Sequence, residues 1–173
     1  MTGQFLHMIQ PHADTIKISL NCAVVTISDT RSKDNDYSGA YLVETLQKMQ
    51  HTIARYEIIS DDPWQIENIL VDTSTVDILI FNGGTGIAPR DSTYDVLQAK
   101  LEKILPGFGE LFRYLSYQEI GSRAIASRVI AGTYAGKLVF SLPGSTGAVR
   151  LAMEKLIQPE LIHLTMQLRG VKA

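Results

Sequence analysis

The sequence predicts an α/β fold in which a parallel sheet is covered on both faces by helices. Three observations predict it. Short apolar runs rich in Val and Ile alternate with segments whose apolar residues recur at helical spacing. Several strand-like runs empty into polar or glycine-rich loops that lead to helices. No repeat, low-complexity stretch or linker divides the 173 residues, enough for one compact domain burying roughly 70% of its unfolded surface. Alternating strands and helices default to a parallel sheet joined by right-handed crossovers.

Residues 1–15 contain His7, His12 and polar residues without periodicity. They read as an N-terminal arm or tail, leaving a single domain over 16–173. Leu20–Ile27, with Val24, Val25 and Ile27, reads as a buried strand. Ser28–Ser38 is a polar loop, and Gly39–Gln50 a helix with Leu42, Leu46 and Met49 on one face. Thr52–Ile59 is a second strand. Asp61-Asp62-Pro63 opens a helix: Asp62 suits the N-cap and Pro63 the first turn. Ile66, Ile69 and Leu70 form its apolar face. Val76–Phe81 is the third strand. Ser92 and Asp95 make a capping-box pattern ahead of a helix over Val96–Leu105, and Pro106-Gly107 breaks the chain. Phe108, Leu111, Phe112 and Leu115 lie on one helical face suited to core or subunit contact, and Gly121–Ile130 reads as helical. Lys137–Leu142 is a strand, Pro143–Gly147 a loop, and Ala148 to Leu168 a helical stretch interrupted at Pro159.

Composition narrows the function classes. Hydrophobic residues make up 45% and charged residues 20%, as in soluble globular proteins. A net charge of −2 argues against a dominant nucleic-acid face. No apolar run reaches the ~20 residues of a membrane span. No basic segment followed by an apolar core marks a secretory signal. Cys22 is the single cysteine, consistent with a reducing, cytoplasmic setting. His7, His12, His51 and His163 show no metal-ligand spacing.

The chemistry concentrates in Phe81–Asp91, FNGGTGIAPRD, directly after the third strand. Gly83, Gly84, Thr85 and Gly86 put bare backbone at the sheet edge where ligands of α/β proteins bind. Arg90 adds a cation and Asp91 a carboxylate, a set suited to a nucleotide phosphate and its divalent ion. The loop lacks the Gly-Lys-Ser/Thr of a P-loop and has Pro89 where the dinucleotide fingerprint needs a small residue. Asp61 and Asp91, from separate loops, are the candidate catalytic and metal-binding pair. Asp61 can equally cap the next helix with Asp62, and Asp91 can pair with Arg90. Ser28 and Asp29 end the first strand and suit a polar ring or phosphate, or simply a turn. Gly144, Ser145 and Thr146 precede a helix N-terminus, where anions bind and where Ser145 or Thr146 can merely cap. Arg123 and Arg128 can reach a phosphate; Arg169 and Lys172 read as terminal solubility charges. In a parallel sheet the loops Ser28–Gly39, Ser60–Asp62, Gly83–Asp91 and Pro143–Gly147 open at one edge.

VVTISDTRSKDNDYSG, FNGGTGIAPRDST, LPGFGELFRYLSYQEIGSRAIASRVIAG and LVFSLPGSTGAV together resemble the MoaB/MogA family of molybdenum-cofactor biosynthesis proteins, and PGFGELFR…LS…EIG its MoaB branch. The resemblance spans about residues 20–168. It implies a three-layer α/β/α sandwich with a mostly parallel sheet, MogA-like, assembled as a trimer or hexamer. It also implies Mg²⁺-dependent transfer of AMP from ATP to the terminal phosphate of molybdopterin, with release of pyrophosphate. By resemblance Asp61 and Asp91 match two acidic positions, Gly83–Gly86 a nucleotide loop, and Ser28, Ser38, Gly144 and Ser145 the pterin and its phosphate. A downstream molybdate-inserting protein is a further expected partner; nucleic acid and membrane are not. Tyr37 stands where threonine is common, and Thr146-Gly147 where Pro or Asn-Pro is frequent. A non-catalytic oligomeric relative that binds pterin or a partner protein is the second reading.

Overall fold

The computed structural model of the chain describes residues 18–72 and 75–171. The arm expected over 1–15 and the charge of Lys172 lie outside them. The strands are β1 (Asn21–Ile27), β2 (Thr52–Ile59), β3 (Ile78–Asn82), β4 (Lys103–Ile104), β5 (Ile130–Tyr134) and β6 (Lys137–Leu142). The helices are α1 (Tyr37–Lys48), α2 (Pro63–Val71), α3 (Thr93–Lys100), α4 (Pro106–Ile120), α5 (Thr146–Ala152) and α6 (Gln158–Leu168). They build one six-stranded sheet in the order β2-β1-β3-β6-β5-β4. β1, β2, β3 and β6 run parallel, and β5 and β4 complete the far edge antiparallel.

Period-two alternation along the strands builds both cores. Cys22, Val24, Ile78, Ile80, Leu138 and Phe140 face α1, α4, α5 and α6, meeting Leu42, Leu46, Phe112, Val149 and Leu161. Ala23, Val25, Ile27, Leu79, Phe81 and Val139 face α2 and α3, meeting Ile66, Ile69, Leu70, Val96 and Leu97. The three-layer α/β/α sandwich follows directly, since each strand residue faces opposite its neighbour. Burial pushes the Cys22 thiol up to about 12, with Asp77 adding to the effect, so it is an inert core side chain. His51 is buried too; its Nδ1 accepts the Leu20 N–H, and burial lowers its pKa.

Several boundaries differ from expectation. α1 begins two residues before Gly39 because Asp36 caps it, its carboxylate accepting the Gly39 N–H. The expected helix to Leu105 ends at Lys100, and Lys103–Ile104 pair with β5 instead. Ser92 makes no capping bond, because its hydroxyl turns to Asp61. Pro106 does not break the chain; it starts α4, where a missing N–H costs nothing. Gly121–Ile130 divides into a 3₁₀ turn, Gly121–Ala126, and the start of β5. Before Pro159 the chain makes a π-helical turn, Met153–Ile157, giving the proline ring the room an α-turn denies it. Arg169 is exposed, as expected of an end charge, and also donates to Asp77, whose other oxygen holds the Asn21 N–H. The helical face read around Phe112 turns inward: Phe112 is buried and Phe108 packs edge-on against Phe140. Leu111, Tyr114, Tyr117 and Ile120 lie outside.

Gly132 sits where β4 crosses β5 so closely that a Cβ would collide with the Lys103 carbonyl and lie 2.9 Å from Leu101 Cδ1. We expect Gly132→Ala to lower unfolding free energy by about 1–3 kcal/mol, measured by urea denaturation; unchanged stability would show that this edge is looser than described.

Candidate functional site

The parallel strands carry their following loops to one edge. The chain turns one way from β1 to β2 and the other way to β3, so that edge has its switch point between β1 and β3, where open α/β sheets bind ligands. A cleft of about 520 Å³ lies there. Its floor is Ile27, Ser28 and Gly83–Gly86. Pro143–Ser145 form one side, and Phe112, Ser116, Ile120, Arg123 and Ser127 the other. Three of the four expected loops line the cleft; Ser60–Asp62 does not, although its Asp61 lies beside Gly84.

The glycine loop cannot be built from other residues. Gly83 and Gly84 have φ of 115° and 62°, conformations that side chains resist. A Cβ on Gly83 would strike the Ile27 carbonyl, and one on Gly84 would lie 2.6 Å from Asp61 Oδ2. The Gly83 N–H is tied to the Leu142 carbonyl at 2.9 Å. The next N–H groups, of Gly84, Thr85 and Gly86, make no hydrogen bond among the described residues. Three consecutive free donors on a cleft floor form an anion cradle.

Both candidate carboxylates flank this cradle. Asp62 caps α2, accepting the Trp64 N–H, which leaves Asp61 for the site. Asp61 Oδ1 accepts the Ser92 N–H at 3.1 Å and hydroxyl at 2.7 Å. Asp91 Oδ2 accepts the Ala88 N–H at 2.8 Å and lies 2.6 Å from where a Gly86 Cβ would stand. Asp61 Oδ2 and Asp91 Oδ1 make no hydrogen bond among the described residues. Two unengaged hard oxygens beside a row of N–H donors suit Mg²⁺. No group of three or more acidic, His or Cys residues that could hold a metal occurs among the described residues. A divalent ion here would complete its shell with water and ligand oxygens.

The cations are allotted differently from expectation. Arg90 pairs with Asp29 at 3.1 Å, and neither lines the cleft. Arg128 binds protein groups: the Gly86 and Asp91 carbonyls and the Asp95 carboxylate. Arg123 lines the cleft and has no partner among the described residues. Arg31, which sequence reasoning did not single out, also lines the cleft. Its Nη1 donates to Ser38 Oγ and its Nη2 to the Gly144 carbonyl, both at 2.7 Å. Ser28 Oγ accepts the Thr30 and Arg31 N–H groups, folding the loop that carries Arg31.

Beneath Arg31 lies a second group that the sequence did not reveal. Asp36, 1% exposed, accepts at Oδ2 from Thr26 Oγ1 at 2.5 Å and the Tyr56 hydroxyl at 2.9 Å. At Oδ1 it accepts from the Gly39 N–H, Ser38 Oγ and Arg31. Burial alone would raise its pKa. The hydrogen bonds from Thr26, the Gly39 N–H, Tyr56 and Ser38 outweigh burial and hold it below the usual 3.8. Burial and the Asp36 carboxylate push Tyr56 up to about 12. Ser38 is itself 1% exposed, so it reaches the cleft only through Arg31. Gly144 and Ser145 line the cleft directly; Ser145 caps α5 through the Ala148 N–H, and Thr146 begins the helix outside the lining. Ser127 Oγ, also in the lining, is buried without a hydrogen-bond partner in the protein.

Known proteins share this sequence and fold. Residues 23–163 match the family described as "Probable molybdopterin binding domain". The chain is 48% identical over 164 residues to the molybdenum cofactor biosynthesis protein B of Bacillus anthracis, covering 92% of this chain and 97% of that one. Its fold matches a crystal structure of a molybdenum cofactor biosynthesis protein B with a TM-score of 0.86 and 48% identity, over 90% of this chain and 99% of the other. A tungsten cofactor synthesizing protein from Pyrococcus furiosus matches with a TM-score of 0.80 and 34% identity, over 87% and 98%.

The buried network sets the pH limits of stability. Asp36 has a depressed folded pKa, so its contribution is full above 3.8 and lost as pH falls below it. Tyr56 has a raised folded pKa, so its contribution is lost as pH rises from 10 towards 12. We expect Asp36→Asn to cost about 3–5 kcal/mol at neutral pH and to flatten the acid limb, and Tyr56→Phe to flatten the alkaline limb. Chemical denaturation across pH measures both; limbs unchanged in the variants would exclude these two groups as their source.

Proposed function

We propose that this chain, which belongs to the probable molybdopterin binding domain family and stands with its molybdenum cofactor biosynthesis B proteins, transfers AMP from ATP to the terminal phosphate of molybdopterin. Its role in molybdenum cofactor biosynthesis follows the function named for those relatives. The observation that favours the transfer is the row of free N–H groups from Gly84 to Gly86 on the cleft floor, with Asp91 in the cleft lining and Asp61 beside Gly84 outside it.

The reaction asks little covalent chemistry of the protein. An ionised oxygen of the molybdopterin phosphate attacks the α-phosphorus of ATP. The bond from that phosphorus to the bridging oxygen breaks, and pyrophosphate leaves with the electron pair. The nucleophile is already deprotonated, so no general base is required, and no histidine among the described residues lines the cleft. The task is to bring two polyanions together in line. The Gly84–Gly86 N–H groups receive nucleotide phosphate oxygens. Arg31, Gly144 and Ser145 receive the pterin phosphate across the cleft, with Ser38 fixing Arg31 from below. Asp61 and Asp91 would hold Mg²⁺, which would neutralise triphosphate charge. Oligomerisation belongs to the same reading. Leu111, Tyr114, Tyr117, Ile120 and Ile125 leave an apolar, aromatic strip exposed on α4 and the 3₁₀ turn, the composition of an interface core.

The direct test is to incubate the purified protein with molybdopterin, ATP and Mg²⁺ and to assay pyrophosphate and adenylylated pterin. Formation of both is expected; molybdopterin binding without pyrophosphate would identify the non-catalytic alternative. Asp91→Ala is expected to lower turnover roughly 10²-fold or more, the scale of losing one preorganised electrostatic contact, while the fold persists by circular dichroism. Wild-type turnover in that variant would remove Asp91 from the mechanism. Activity is expected to vanish with EDTA and return with Mg²⁺ or Mn²⁺, as two hard oxygen donors require; full activity in metal-free buffer would contradict their role. Light scattering at micromolar concentration is expected to give a trimer or hexamer, whereas a monomer mass would refute an interface on α4.

A further inference from the structure

Arg128 stands where the 3₁₀ turn passes into β5, yet every group it binds lies around the glycine loop. Its Nε donates to the Gly86 carbonyl at 2.8 Å and its Nη2 to the Asp91 carbonyl at 2.9 Å. Its Nη1 donates to both Asp95 carboxylate oxygens, at 2.9 and 3.0 Å. The guanidinium carbon lies 5.1 Å from the centroid of the Tyr94 ring, in the arrangement that favours a cation over an aromatic face. Arg128 does not line the cleft. We infer that Arg128 is a positioning residue for the nucleotide half of the site, acting through Gly86 and Asp91 without touching the ligand.

The loop between its two anchors explains why one is needed. Ile87, Ala88, Pro89 and Arg90 are all exposed. The turn is closed internally by the Ala88 N–H on Asp91 Oδ2 and by the Asp91 N–H on the Ala88 carbonyl. That short cycle leaves the turn tied to the rest of the protein only by the exposed Arg90–Asp29 ion pair, which is weak in water. Arg128 does so by gripping the carbonyls at both ends with one rigid planar fork. Gly86 is the last free donor of the cradle, and Asp91 is the carboxylate that flanks it. A single guanidinium thereby sets the donor and the carboxylate in one register. Lysine cannot replace it, since a point cation on a flexible stem lacks the fixed fork. Asp95 takes a different part: it neutralises Arg128 from the α3 side, and its carboxylate accepts only from Arg128 among the described residues.

The kinetic consequence rests on the proposed AMP transfer; the structural one does not. The experiment therefore compares Arg128→Lys and Asp95→Asn in the full chain by two readouts. The first is amide hydrogen exchange at Ala88 without substrate. Arg128→Lys should speed exchange there by roughly 10-fold, the scale of weakening one hydrogen bond, while Asp95→Asn, which keeps both carbonyl contacts, stays within about 2-fold of wild type. The second readout is steady-state kinetics beside pterin binding. Arg128→Lys should raise the KM for Mg-ATP roughly 10-fold or more, as expected for a misplaced phosphate site, and leave the molybdopterin Kd unchanged. Wild-type exchange at Ala88 in Arg128→Lys would overturn the inference, as would equal weakening of both substrates, or loss of Ala88 protection in Asp95→Asn, which would make the ion pair the operative element. Altered exchange in a protein whose wild type forms no adenylylated pterin would uphold the positioning of the loop and count against the transfer alone.

Discussion

The buried Asp36 carboxylate is the interaction on which the cleft depends. Removing a carboxylate from water costs several kcal/mol unless its oxygens are satisfied. Here Thr26 from β1, Tyr56 from β2, Ser38 and the Gly39 N–H from α1, and Arg31 from the intervening loop all donate to it. One charge thus draws two strands, a helix start and a loop to a common point. Asn82 extends the group to β3 by donating to Thr26 Oγ1 at 2.6 Å. Arg31 extends it to the start of α5 by donating to the Gly144 carbonyl. The apolar alternation of β1 and β3 ends in Thr26 and Asn82, so the hydrophobic core gives way to a polar platform under the cleft.

Charge allotment around the cleft follows from that platform. Three arginines near the glycine loop are engaged by protein: Arg31 by Asp36, Arg90 by Asp29, Arg128 by Asp95. Paired guanidiniums make poor sources of net attraction but good sources of geometry. The donors left unengaged by protein are the backbone N–H groups of Gly84–Gly86, which cost no side-chain ordering, and Arg123 in the cleft lining. A site built mainly of main chain explains why its glycines cannot be exchanged: at Gly83, Gly84 and Gly86 a Cβ would meet neighbouring backbone or one of the two carboxylates.

Much of this was legible in the sequence because it rests on local signals. The short apolar runs of β1, β3 and β6, the Asp62-Pro63 start of α2 and the glycine punctuation after β3 report their own neighbourhoods, and the four loops could be placed at one edge without a structure. What was not legible rests on partners distant in sequence. Ile130–Tyr134 contains Ala and Gly and reads as no strand; it is one because β6 lies beside it and β4 is short enough to cap the edge. Pro106 read as a breaker because a proline at a helix start and one at a helix end look alike until the helix is seen. Arg31 and Asp36 passed as ordinary loop charges, since their meaning lies in Gly144 and in Tyr56. Arg128 read as a candidate phosphate ligand because sequence shows a cation and not the carbonyls it grips.

The proposed transfer requires nucleotide phosphates on the Gly84–Gly86 backbone beside Asp61 and Asp91. A crystal structure with Mg²⁺ and a non-hydrolysable ATP analogue tests it most directly. Phosphate oxygens are expected within hydrogen-bond distance of those N–H groups, with a metal ligated by carboxylate oxygens of Asp61 and Asp91. Phosphates bound elsewhere, or seated on the Arg31 side with the glycine loop empty, would contradict it.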